Sequence, residues 1–114
     1  MDKLNYDVIA TVSNQRNSRN PFYTGYRPAF AIHNNYITSG EIRLLGTNQV
    51  KYREEIEAQI RFLTPEVYPK CLWVGKKIAF QEGAEIHGFA IITEILNKSL
   101  ESDEVGIEGD LRLD

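Results

Sequence analysis

The side chains with chemical reach in this 114-residue chain gather between residues 16 and 30. Arg16, Arg19 and Arg27 are interleaved there with Phe22, Tyr23, Tyr26 and Phe30, and with Pro21 and Pro28. A guanidinium presents a planar fork of donors that fits a carboxylate or a phosphate, and an aromatic face beside it adds a stacking surface. Such a set grips a partner rather than breaking a bond. Lys70, Lys76 and Lys77 form a second basic spot around Trp73. Each group also has a structural role to fill. Tyr26 and Phe30 suit a core, Arg27 an internal ion pair or loop support, and the lysines a strand edge where charge discourages sheet-to-sheet pairing. Trp73 and Cys71 read as core. The contact set expected from sequence is Arg16, Arg19, Phe22, Tyr23, Arg27, Lys76 and Lys77, with Arg16 and Arg19 in the polar loop before Pro21.

Catalytic signatures are missing. The chain contains neither G-x-x-x-x-G-K-[ST] nor G-x-G-x-x-G, so no nucleotide or other cofactor is expected. His33, His87 and Cys71 are scattered without the spacing of a zinc site, so no metal is expected. Glu54, Glu55 and Glu57 read as a solvated face rather than an acid–base pair. The expectation is a protein that is not an enzyme.

The charge balance narrows the partners. Net charge is −3 and the pI about 5.4, against a dedicated nucleic-acid binder. The distribution is uneven: residues 1–50 carry five Lys/Arg against three Asp/Glu, residues 51–100 seven against seven, and residues 101–114 one against six. A local cationic patch is therefore compatible with the acidic total. The single cysteine excludes an internal disulfide. The N-terminus lacks an apolar signal run, and no window approaches the roughly 18 apolar residues that span a bilayer. The expected setting is cytoplasmic and soluble, away from membranes.

The elements that must position these groups are strands. Leu4, Tyr6, Val8, Ala10 and Val12 fall on one side of a period-two run with Asn5, Asp7 and Thr11 on the other; Ile56, Ala58, Ile60 and Phe62 alternate with Glu57, Gln59 and Arg61, and Ile78 and Phe80 face inward within Lys77–Gln81. Residues 29–32 and 37–45 supply two more strands, with Gly40 a bend. Residues 86–96 form a long bent strand in which Gly88 marks a bulge or a close backbone approach. Glu82-Gly83 is a hairpin signal. Residues 20–30 form an extended–turn–extended corner, since Arg27 precedes a proline and Thr24-Gly25 supplies the turn. Residues 53–61 are rich in helix formers, and a helix would align Ile56, Ile60 and Leu63. Strict alternation and Pro65 favour a strand. At 42% hydrophobic residues the chain makes one domain, residues 1–98, followed by an acidic, mobile tail over residues 99–114.

Three segments in order resemble the C-terminal β-barrel (domain III) of elongation factor Tu. Pro21-Phe22-Tyr23 with Gly25-Tyr26-Arg27-Pro28-Ala29-Phe30 is similar to the family's proline–aromatic–aromatic and G-Y-R-P-x-F elements. Gly40-Glu41-Ile42-Arg43-Leu44 resembles its T-G-x-I-x-L strand. Ile78-Ala79-Phe80-Gln81-Glu82-Gly83 with Ile86-His87-Gly88 resembles its F-x-I-R-E-G-x-x-x-V-G hairpin. The resemblance implies an all-β, six-stranded antiparallel barrel of translation-factor type. In that family the barrel touches the T-stem of aminoacyl-tRNA and the nucleotide-exchange factor. The chain departs from the pattern where the family has G-R-H-T-P-F-F, keeping a cation only at Arg19, and Ala84-Glu85 replaces a basic hairpin residue. Lys51-Tyr52-Arg53-Glu54 stands in place of the family's proline–glycine turn. A carboxylate facing a phosphate backbone is repulsive. The expected function is thus a non-catalytic binding module of the translation machinery, with a protein partner ahead of tRNA. The alternative is an immunity or inhibitor protein that neutralises a toxin or effector.

Overall fold

Period-two patterning becomes eight strands: β1 (Val8–Ser13), β2 (Phe22–Tyr23), β3 (Ala29–His33), β4 (Tyr36–Leu44), β5 (Gln49–Val50), β6 (Glu55–Phe62), β7 (Lys77–Glu82) and β8 (Glu85–Ile95). The computed structural model describes residues 6–33, 36–67 and 69–102. Six of the strands close into an antiparallel barrel in the order β1-β6-β4-β3-β7-β8, with β8 returning to β1. The short β2 and β5 pair separately as a two-stranded ribbon. Closure leaves no unpaired barrel edge.

Register follows the apolar set. Ile60 of β6 lies between Val8 of β1 and Ile42 of β4, and all three are fully buried. The β6 ladder on both sides rules out the helical reading of residues 53–61. Inside, Phe30 meets Phe62 and Phe80 edge-on at 5.4 and 5.7 Å. Phe22 closes one end of the core by stacking on Tyr26 at 4.7 Å and meeting Phe80 at 5.7 Å. Such ring pairs add to the area they bury.

Two glycines mark close approaches. A Cβ on Gly88 would lie 2.1 Å from the Ser13 carbonyl oxygen and 2.5 Å from Phe80 Cζ. One on Gly40 would lie 2.8 Å from both the Arg61 carbonyl oxygen and Phe30 Cε2. Gly88 also adjoins a bulge. Phe80 pairs with Gly88 and Gln81 with Ile86, so His87 is the unpaired extra residue of β8. A bulge breaks alternation and re-aims a side chain. His87 and Gly88 are consequently both buried.

The first residues assigned to the tail, 99–102, are packed on the body. Lys98–Leu100 forms a 3-10 turn capped by Asn97, and Leu100 is fully buried. The Leu72 amide donates to the Leu100 carbonyl at 2.8 Å and the Ser102 amide to the Leu72 carbonyl at 2.7 Å. Residues 99–102 therefore belong to the packed body. The rest of the expected tail, residues 103–114, lies outside the described residues, as do Leu4 and the Asn34-Asn35 turn. Among the described residues no helix is long and apolar enough to cross a membrane.

Candidate partner-binding surface

At one end of the barrel two loops are joined through one buried side chain. Asn14 follows β1 and is fully buried. Its amide donates to the carbonyls of Asn20 and Val50, both at 2.9 Å, and its Oδ1 accepts from the Arg16 amide at 3.0 Å. Its own backbone carbonyl accepts from the Arg53 amide at 2.8 Å. Residues 14–21 and 50–54 thus form one platform. The turn in the second loop is closed by Glu54, whose Oε1 accepts from the Lys51 amide at 2.8 Å.

Arg19 and Arg53 emerge from this platform. Both are exposed, and both have left-handed backbone, φ +64° and +70°. Their guanidinium carbons lie 5.6 and 5.2 Å from the centroid of the same ring, Tyr52. Positive φ on a long side chain is sparsely populated and costs on the order of 1 kcal/mol or more. Two such residues at one aromatic ring give a pair of exposed donor forks on a shared base.

Behind the platform a polar brace ties the elbow to the β7–β8 hairpin. The bulge at His87 carries its imidazole towards Tyr26, whose hydroxyl lies 3.0 Å from Nδ1. The Tyr26 hydroxyl donates to Glu82 Oε2 at 2.8 Å. That hydroxyl has one proton, so the Nδ1 contact requires the proton to be on Nδ1 while Glu82 holds the phenol. In that tautomer the 3.5 Å approach of Arg16 Nε to Nδ1 is packing, not a hydrogen bond. Glu85 Oε1 is 3.5 Å from His87 Nε2. Arg16 donates to the Pro21 carbonyl at 2.7 Å, lies 5.3 Å from the Tyr26 centroid and pairs with Glu82 at 3.6 Å. Burial first, then the bond and charge of Glu82, push the Tyr26 phenol well above the ordinary tyrosine range. Tyr26, His87 and a carboxylate have the layout of a nucleophile, base and orienter, but the shift keeps the phenol protonated, opposite to what activation needs. The grouping serves as a brace.

The residues expected from sequence therefore separate. Arg16 and Arg19 share the platform end, Arg16 inside the brace and Arg19 outside. Tyr23 is exposed on β2. Phe22 is core, held between Tyr26 and Phe80, and offers a partner no surface. Arg27 is exposed, forms no ion pair with any described residue, and lines a pocket with Ser39, Gly40, Glu41 and Arg61. Lys76 is neither a contact nor a strand-edge lysine. It is 5% exposed, its Nζ donating to the carbonyls of Ile32 and Cys71 at 3.0 and 2.9 Å and lying 4.5 Å from the Trp73 ring centroid. Lys77 is exposed on the outer wall, its Nζ 4.3 Å from the Phe89 centroid. The two lysines thus form no joint patch. Tyr52 and Arg53 were missed by sequence reasoning, although an aromatic beside an arginine is the signal used for the elbow. Among the described residues no group of three or more His, Cys, Asp or Glu is arranged to hold a metal ion. No family model matches the sequence.

Proposed function

We propose that this chain is a non-catalytic binding module, a barrel of the translation-factor type, that engages an acidic protein partner through Arg19, Tyr52 and Arg53. The observation that carries this reading is the pair of exposed arginines, both at positive φ, whose guanidinium groups lie against the same tyrosine ring. Exposed cation–π contacts contribute about 0.5–1 kcal/mol each, no more than the backbone conformation costs. The arrangement is sustained by the buried Asn14 bonds beneath it and leaves two guanidinium forks exposed, a fit for carboxylates. The resemblance to the elongation factor barrel rests on the order of the motifs, and the closed six-stranded antiparallel sheet is compatible with it. Glu85 on the neighbouring hairpin disfavours a phosphate backbone and favours protein over tRNA.

The test compares immobilised chain with its Arg19→Glu/Arg53→Glu variant, using protein capture from lysate of the source cells and a tRNA titration over a salt series. The expected result is a defined protein retained by the native chain, released by salt and lost in the variant. Retention that charge reversal leaves unchanged, or retention of tRNA alone, refutes the reading.

A further inference from the structure

We infer that the outer wall of β3, β4 and β6 carries a second site, independent of the Arg19–Arg53 platform, that binds a small organic anion bearing an apolar group. The wall holds a pocket of about 470 Å³ lined by Arg27, Ser39, Gly40, Glu41, Arg61 and Leu63. That volume lies within the range of small-molecule sites, roughly 300–1,000 Å³. Ser39, exposed opposite Ala29, is a small residue in its lining. The Leu63 amide donates to the Ser39 carbonyl at 2.8 Å, which fixes Leu63 at the lip. Leu63 is 72% exposed, the most of any large apolar side chain among the described residues.

Charge on this wall is unbalanced. Glu41 is buried, and its two oxygens are already engaged, by Arg61 at 2.5 Å and Arg43 at 3.6 Å. Arg43 Nε also donates to the Tyr6 hydroxyl at 2.6 Å, and Arg61 lies 5.4 Å from the Tyr6 centroid. Among the described residues one carboxylate thus stands against three guanidinium groups. Arg27 has no hydrogen bond or ion pair with any described residue, yet its backbone is held on both sides. The Ile42 amide donates to the Tyr26 carbonyl at 2.9 Å, and the Gly40 amide to the Pro28 carbonyl at 3.2 Å. An unengaged guanidinium on a held backbone, beside an apolar lip, selects a carboxylate, sulfonate or phosphate ester with a ring or short chain attached.

The test uses two fluorescent probes of similar shape, anilinonaphthalene sulfonate and its uncharged relative N-phenylnaphthylamine, titrated into the full chain. The sulfonate binds and the neutral probe binds at least about tenfold more weakly, the worth of one charge-assisted contact. Arg27→Gln removes that preference, Arg19→Gln does not, and amide shifts on adding the sulfonate centre on Ser39 and Leu63. Arg27 is exposed, so its variant folds. Equal binding of the two probes, no binding of the sulfonate, an unchanged affinity in Arg27→Gln, or shifts centred on another face would each overturn the assignment.

Discussion

Asn14 is the side chain on which the platform rests, and its replacement has a calculable effect. Alanine removes two amide donors and one acceptor. The Val50 carbonyl is left buried, costing about 1–3 kcal/mol, while the Asn20 carbonyl and Arg16 amide are partly open to water and lose about 0.5–1 kcal/mol each. Asn14→Ala should therefore destabilise the chain by about 3 kcal/mol, read from urea denaturation followed by circular dichroism. Asn14→Asp separates this from a packing effect because it keeps the shape. Its carboxylate still accepts from the Arg16 amide but faces the Asn20 and Val50 carbonyls with an oxygen. Burial and those two carbonyls raise the new carboxyl above its unfolded value of about 3.9. The folded state then holds its proton to higher pH than the unfolded state. The penalty is therefore small at low pH, where the protonated acid donates one bond, and grows as pH rises from about 4. Measured against the native chain at each pH, Asn14→Asp should be the weaker protein at neutrality and recover on acidification. An alanine cost below about 0.5 kcal/mol, the size of an ordinary surface change, would refute the role given to Asn14, as would an aspartate variant whose deficit ignores pH.

Gly88→Ala should destabilise at or beyond the upper end of the about 1–3 kcal/mol seen for overpacking, because the nearest atom, 2.1 Å away, is a backbone carbonyl. Gly40→Ala should cost less, its contacts being at 2.8 Å; chemical denaturation that reverses this order contradicts the packing. In an alkaline titration followed by phenolate absorbance or ring-carbon shifts, Tyr26 should ionise above the free-phenol value of about 10, and Glu82→Gln should bring it down. Its contribution to stability is complete below that unfolded value and is lost as pH climbs through the higher folded one. Ionisation of Tyr26 at or below the free value would remove the brace.

The barrel was legible because alternation and burial are one constraint read twice. Residues 56–62 have helix-forming composition, yet an apolar side chain at every second position can face a single interior only as a strand, and Ile60 between Val8 and Ile42 shows the constraint satisfied on both sides. Gly88 was read as marking a bulge or a close approach; it adjoins the bulge at His87 and makes the close approach itself. What alternation did not convey was the consequence for His87. A one-residue slip leaves composition unchanged and turns an outward side chain inward, so no periodicity count separates the bulged residue from its neighbours. The docking of residues 99–102 was hidden for a related reason. Leu100 is one apolar residue in an acidic stretch, and its burial depends on meeting Leu72, far away in sequence.

The candidate surface was half legible, and the division has a physical basis. Arginine and aromatic residues crowded into residues 16–30 announce reach but not direction. The barrel needs ring volume at its end, so Phe22 goes inward and takes Arg16 into the brace with Tyr26. Arg19 stays outside because a positive φ at its own position turns it off that path. Arg53 does the same from the other loop, and the two converge only because Asn14 bonds across both. No property of residues 51–54 alone signals that convergence, since it depends on a hydrogen bond from position 14 to the carbonyl of Val50. A cationic surface on an acidic chain thus arises from loop stitching rather than from a run of charge. The proposed binding surface and the fold share a hinge at Asn14: a substitution there should scatter Arg19 and Arg53 while leaving the pocket at Arg27 intact, since that pocket is held by β3, β4 and β6.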